Sequence, residues 1–117
     1  MLYTTFTVKD KDYKARLNAK ACVDLEKKLG TNPLNIFTKM MGNGDNINLP
    51  PLGDIITILW ASLQAYEHGM NMDKVYELYD EFISEGYNQM DMIPIIIDIF
   101  KVSGLLPEEV EDEVKNA

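Results

Sequence analysis

The stretch that decides the fold starts at residue 55, where the sequence reads IITILWASLQA through residue 65. None of these residues is charged, so a helix formed here has no face suited to water. Such a helix is normally buried in the core of a domain or covered by a partner. Pro51 and Asp54 precede it, as expected for a first helical turn.

Two more helices are predicted after the uncharged one. The next carries an acid at every fourth position, and we call these four residues the acidic rail: Asp73, Glu77, Glu81 and Glu85. Its apolar residues recur at helical spacing and predict a buried stripe of Val75, Leu78, Tyr79 and Phe82. Tyr76 falls beside this stripe and is the best candidate for an exposed aromatic anchor. The third helix contains residues 93–100, IPIIIDIF, and is predicted to be mostly core.

The N-terminal segment has the composition of β-strands. Residues 3–8 read YTTFTV, residues 9–12 are polar and turn-like, and residues 13–17 alternate again. This pattern predicts a β-hairpin. Because a two-stranded hairpin is marginal in water, it should lie on helices or pair with another chain.

Capping residues set the other boundaries. A first helix is predicted from Asn18 to Gly30 and a second from Pro33, with Asn71 capping the acidic helix and Asp91 the third. The predicted fold is mainly α, a bundle-like single domain of five to six helices over residues 1–117. It divides into a hairpin (1–17), a helical core (18–106) and an acidic C-terminal helix or tail (107–117).

Charge is divided unevenly along the chain. Residues 1–28 hold seven Lys/Arg and four Asp/Glu, a net of +3, and residues 29–117 hold four Lys and fifteen Asp/Glu, a net of −11. This acidic majority argues against binding nucleic acid through its phosphates and is compatible with a basic protein partner. A lone cysteine suits a reducing compartment, and neither a signal peptide nor a membrane span is recognisable. A soluble intracellular protein is expected.

No residue pattern indicates catalysis, a metal or a cofactor. His68 has no second ligand at metal spacing, and Cys22 lies on the apolar stripe of the first helix, where core packing is the simpler interpretation. The loop from Gly42 to Asn46 meets neither the calcium-loop nor the phosphate-loop pattern. The sequence therefore predicts a protein that is not an enzyme and has no small-molecule substrate.

The acidic rail has two interpretations. Like charges at i, i+4 destabilise a helix only modestly, so the rail is either a plain solvated face or a surface complementary to a basic partner. Paired carboxylates would need a pocket to act as acid and base.

Four segments resemble, in this order, the tail assembly chaperones of long-tailed phages and prophages of Gram-positive bacteria. They are residues 13–18 (YKARLN), 25–34 (LEKKLGTNPL), 59–64 (LWASLQ) and 73–80 (DKVYELYD). The resemblance extends over roughly residues 10–105. The resemblance rests on the order and the local amino-acid sequence of these segments, and it includes no catalytic signature.

The resemblance implies a helical, non-enzymatic protein of the host cytoplasm that keeps the tape measure protein soluble during tail assembly. Such chaperones are absent from the finished particle. Many also exist as a longer frameshifted product, and this chain is similar to the shorter one. The resemblance supplies a role but no individual site.

The chaperone role and the uneven charge distribution together predict that the protein associates with copies of itself. Head-to-tail contacts that do not close build open arrays suited to coating a filament. The expected contact joins the rail and Tyr76 of one copy to basic residues of the next: Lys14, Arg16, Lys20, Lys27 and Lys28. The tape measure protein would meet exposed apolar positions of the uncharged helix or of residues 95–100.

A different class of function shares part of this pattern. A small acidic inhibitor that mimics DNA and acts on a nucleic-acid enzyme would also be non-catalytic. It should display carboxylates over a broad face, and the basic N-terminal quarter counts against it.

Overall fold

The computed structural model describes residues 2–42 and 47–107. It confirms a mainly helical fold with an N-terminal antiparallel hairpin of β1 (Thr4–Val8) and β2 (Lys11–Ala15). Five α-helices follow: α1 (Ala19–Leu29), α2 (Pro33–Met41), α3 (Leu52–Leu63), α4 (Met72–Ser84) and α5 (Met92–Val102). The acidic helix predicted after Pro107 lies outside the described residues.

The hairpin turn is tighter than the sequence suggests. Lys9 and Asp10 both have positive φ, at 48° and 66°, the conformation of a two-residue turn that matches the twist of the strands. Because the turn uses only these two residues, β2 begins at Lys11, and the predicted start at Tyr13 was wrong. The Tyr13 ring stacks on that of Phe6, with centroids 5.7 Å apart.

The predicted caps of two helices are confirmed. The side chain of Asn18 accepts the backbone N–H of Ala21 at 2.9 Å, and that of Asn71 accepts the N–H of Lys74 at 2.9 Å. Gly30 ends α1 in the left-handed conformation, at φ 72°. Each cap satisfies a backbone group that a helix end would otherwise leave unpaired.

The start of α5 differs from the prediction. Asp91 makes no side-chain cap for α5, because its carboxylate instead accepts the backbone N–H of Asn88 at 2.8 Å. The side chain of Asn88 in turn accepts the N–H of Met90, and the two residues bound a short 3₁₀ helix, Gln89–Asp91. The helical start therefore lies three residues earlier, at Asn88.

The uncharged helix α3 is the centre of the fold. It packs against α1, α4, α5 and β2, so it is covered on most sides by its own chain. The carbonyl of Ser62, near its C-terminal end, accepts the backbone N–H of Arg16 at 2.8 Å and fixes the hairpin to it. The predicted stripe of α4 is buried as well: Val75, Leu78, Tyr79 and Phe82. The buried residues of α3 and of α4 belong to the same apolar cluster as Phe6 and Val8 of the hairpin.

Candidate functional site

The acidic rail is partly used within the chain. Asp73, Glu77 and Glu85 are exposed and Glu81 is half-buried. Glu85 accepts the backbone N–H of Lys9 in the hairpin turn at 2.5 Å. One end of the rail therefore anchors the hairpin to α4, and the middle, with Glu77 and Glu81, is left facing a groove.

That groove lies between α4 and the hairpin and has a volume of about 260 Å³. Glu77 and Glu81 line it together with two cations, Lys74 from α4 and Lys11 from β2. Lys74 is the one Lys or Arg within α4 itself. The hairpin supplies Lys11, whose ammonium lies 4.8 Å from the Tyr13 ring centroid, and Glu67 adds a third acid to the groove lining.

The basic residues predicted to meet the rail are mostly occupied elsewhere. The ammonium of Lys14 lies 4.9 Å from the ring centroid of Tyr3, and Lys20 forms an ion pair with Asp24 at 3.0 Å. Arg16 donates to the carbonyl of Leu2 at 2.9 Å.

Two basic residues of α1 lie near its C-terminal end. Lys28 lies 4.7 Å from the Trp60 ring centroid, whereas Lys27 is exposed, and the structure gives it no partner among residues 2–42 and 47–107. The residues predicted to form the contact therefore lie on, or directly after, three separate elements: α1, β2 and α4. Tyr76 is exposed on α4, as predicted.

An apolar surface lies where the chain returns from α2 to α3, and Ile97 is its one member within residues 95–100, where a client contact was predicted. Ile47, Met90, Pro94 and Ile97 line a groove of about 440 Å³. Leu49, two residues along, lines a second groove of about 540 Å³ beside α2. We call these five residues the loop-47 surface: Ile47, Leu49, Met90, Pro94 and Ile97.

Hydrogen bonds hold the loop-47 surface in place. Asn48 donates its backbone N–H to the carbonyl of Met40 at 2.8 Å and its side-chain amide to that of Lys39 at 3.0 Å. Gln89 donates to the carbonyl of Pro50 at 3.2 Å and links the segment to the start of α5. Single exposed apolar residues are ordinary on a protein surface, whereas a contiguous group beside grooves is typical of a contact site.

A family model described as a family of unknown function, DUF6096, matches residues 3–116. The chain belongs to DUF6096. The match extends over the hairpin, all five helices and both surfaces described above. No curated protein and no solved structure matches the chain at a significant level.

Across residues 2–42 and 47–107, no three His, Cys, Asp or Glu side chains are grouped so as to hold a metal ion. Of the helices in those ranges, none is long and apolar enough to cross a membrane.

The surroundings of the single cysteine disfavour its thiolate. Cys22 is half-buried on α1; loss of solvation raises the pKa of its thiol, and the carboxylate of Glu26 raises it further. A higher pKa means less thiolate at a given pH, and the thiolate is the reactive species. We expect Cys22 to be alkylated by iodoacetamide at pH 8 more slowly than a free peptide thiol.

The comparison is made by mass spectrometry of the folded protein, with the urea-unfolded chain as its control. Equal rates in the folded and unfolded chain would contradict this expectation. A faster reaction in the folded protein would instead identify Cys22 as an activated nucleophile.

Proposed function

We propose that this DUF6096 member is a phage tail assembly chaperone. In this proposal it is not an enzyme and acts in the cytoplasm of the bacterial host. It binds the tape measure protein, keeps it soluble during tail morphogenesis and is absent from the mature virion. The proposal is supported by the resemblance of four ordered segments within residues 10–105. Two of them lie wholly or mainly on one helix, residues 59–64 on α3 and residues 73–80 on α4.

The loop-47 surface is the observation that carries the binding role. A tape measure protein exposes apolar segments before the tail tube forms around it, and a chaperone must offer apolar surface to cover them. Most of the apolar residues of α3 and α5 are buried and unable to do this. Ile97 and Pro94 of α5, with Ile47, Leu49 and Met90, remain accessible at the two grooves.

Self-association of this chaperone is proposed to involve the middle of the rail. Glu85 is engaged by the hairpin, so the contact centres on Glu77 and Glu81, with Tyr76 as an apolar anchor. Lys27 of another copy is the best-placed cation, because Lys14, Arg16 and Lys20 have partners in their own chain.

Reversing both charges, as Glu77→Lys with Glu81→Lys, is expected to abolish this association. Sedimentation velocity should show a coefficient that falls to that of the smallest species. Raising the ionic strength from about 0.01 M to about 1 M should have the same effect on the wild type, because the Debye length shrinks from about 30 Å to about 3 Å. The matched control reverses Glu26 and Asp98, two exposed acids on other helices. If the rail variant associates as the wild type does, the rail is not the contact.

Co-expression tests the chaperone role directly. The partner in this test is a candidate tape measure protein, produced alone and together with this chain. We expect the partner to be insoluble alone and to move to the soluble fraction, bound to this protein, when both are present. A partner that remains equally insoluble in both cases would overturn the proposal.

A further inference from the structure

The two outer edges of the hairpin differ in how their backbone groups are used. Lys14 donates its backbone N–H to the Glu67 carboxylate at 3.2 Å, and Arg16 donates to the carbonyl of Ser62 at 2.8 Å. The outer edge of β2 is therefore covered by the end of α3 and the turn that follows it.

The outer edge of β1 has no such cover. Thr5 faces Lys14 in the register, and because the Lys14 N–H points away from β1, the Thr5 N–H and C=O point away from β2. The same holds two residues either side, at Tyr3 and Thr7. Among the described residues, no hydrogen bond to the outward backbone groups of Thr5 or Thr7 is found.

Sequence makes the contrast between the edges sharper. Exposed edge strands are usually protected by charges, proline or a bulge, because unpaired edges attract other strands. β2 carries Lys11, Asp12 and Lys14, whereas residues 2–8, LYTTFTV, hold no charge and no proline. The outer edge of β1 is therefore both the unpaired edge and the edge that lacks protective charges or proline.

We infer that β1 pairs antiparallel with β1 of a second copy of this chain. The twofold axis passes at Thr5, and the two hairpins join into one four-stranded sheet. Thr5 faces its own counterpart and Tyr3 faces Thr7, each facing pair exchanging both of its N–H···O bonds. Twofold pairing puts the central residue opposite itself, so a charge there would repel, and threonine does not.

The exposed Leu2 supports this register. Leu2 shares the strand face of the buried Phe6 and Val8, yet it is 70% exposed. In the pairing centred on Thr5, Leu2 lies opposite Val8 of the other copy, so the apolar face of each hairpin is extended by the other. The inference rests on the hairpin alone and is independent of the chaperone role.

Thr5→Pro tests the pairing. It removes the outward N–H, which the hairpin does not use, and should weaken the dimer by about tenfold or more. The matched control is Asp12→Pro, which removes an outward N–H from the opposite edge, together with the carboxylate that accepts the Thr7 hydroxyl, and should leave the dimer intact. Sedimentation equilibrium of the full chain, at up to about 100 μM, measures both. A wild type that is monomeric throughout, or a Thr5→Pro variant that dimerises as the wild type does, overturns the inference.

A charge mixture tests the twofold register without proline. Thr5→Glu and Thr5→Lys each place like charges opposite one another, whereas an equal mixture places opposite charges there. Thr5 is exposed, so each variant is expected to fold as the wild type does. We expect the mixture to form a heterodimer with at least about threefold higher affinity than either homodimer. Equal affinities for all three would contradict this register. If the Thr5 variants lose the dimer but still form larger assemblies that are sensitive to salt, the β1 contact and the contact through the acidic rail are separate interfaces.

Discussion

Replacing Phe100 by alanine is expected to lower the free energy of unfolding by about 3–5 kcal/mol. Phe100 is fully buried on α5, which packs against both the central helix α3 and strand β1. The smaller side chain leaves a cavity in the middle of the apolar cluster, and the surrounding helices can close it only in part. Since domains of this size are stable by about 5–15 kcal/mol, the loss approaches the whole in the lower part of that range.

Urea unfolding followed by circular dichroism measures the effect, as a lower midpoint at an unchanged slope. Tyr76→Ala is the matched control, because it truncates an exposed aromatic residue on α4 and should change stability by no more than about 0.5 kcal/mol. Equal losses for the two variants would mean that α5 does not pack as described.

Introducing charge into the loop-47 surface is expected to abolish client binding while leaving the fold intact. The variant combines Ile47→Asp with Met90→Asp, two residues that are each 46% exposed and line one groove. A client that covers this groove would have to desolvate two carboxylates and would lose two apolar contacts, so its affinity should fall at least about tenfold. Co-expression with the tape measure protein should then leave the client in the pellet.

A matched double variant separates this site from general loss of apolar surface. Val23→Asp with Ile83→Asp changes two apolar residues of 48% and 37% exposure on α1 and α4, away from the grooves. We expect this control to keep the client soluble. If the two double variants behave alike, the loop-47 surface is not the client site; if both bind as the wild type does, the client is held elsewhere.

The fold followed from the sequence where the signal was local. Val75, Leu78, Tyr79 and Phe82 recur at helical spacing and are buried as predicted, because α4 presents one face to α3. Asn18 and Asn71 cap their helices through bonds that span three residues. The prediction that Asp91 caps α5 was wrong because Asn88, three residues earlier, is the capping residue instead. Local composition does not decide between two residues that both make good caps.

The candidate sites could be predicted only in part, because tertiary contacts decide which side chains are free. Nothing near Glu85 in the sequence indicates that its carboxylate accepts a hydrogen bond from the backbone N–H of Lys9, 76 residues away. The loop-47 surface joins Ile47 to Met90 and Ile97 across more than forty residues and has no periodic signature. Tyr76 was recognisable because exposure beside an apolar stripe is itself a local property.

The contacts between the N-terminal hairpin and the distant helix α5 have a consequence for biosynthesis. Leu17 donates its backbone N–H to the hydroxyl of Ser103, 86 residues later, and β1 packs on α5. A chain emerging from a ribosome at about 5–20 residues per second carries its N-terminal strands without their packing partners for roughly 4–17 seconds. The hairpin therefore completes its packing only after α5 has been synthesised. Throughout that interval, the uncharged residues 2–8 are open to strands of neighbouring nascent chains on the same polysome.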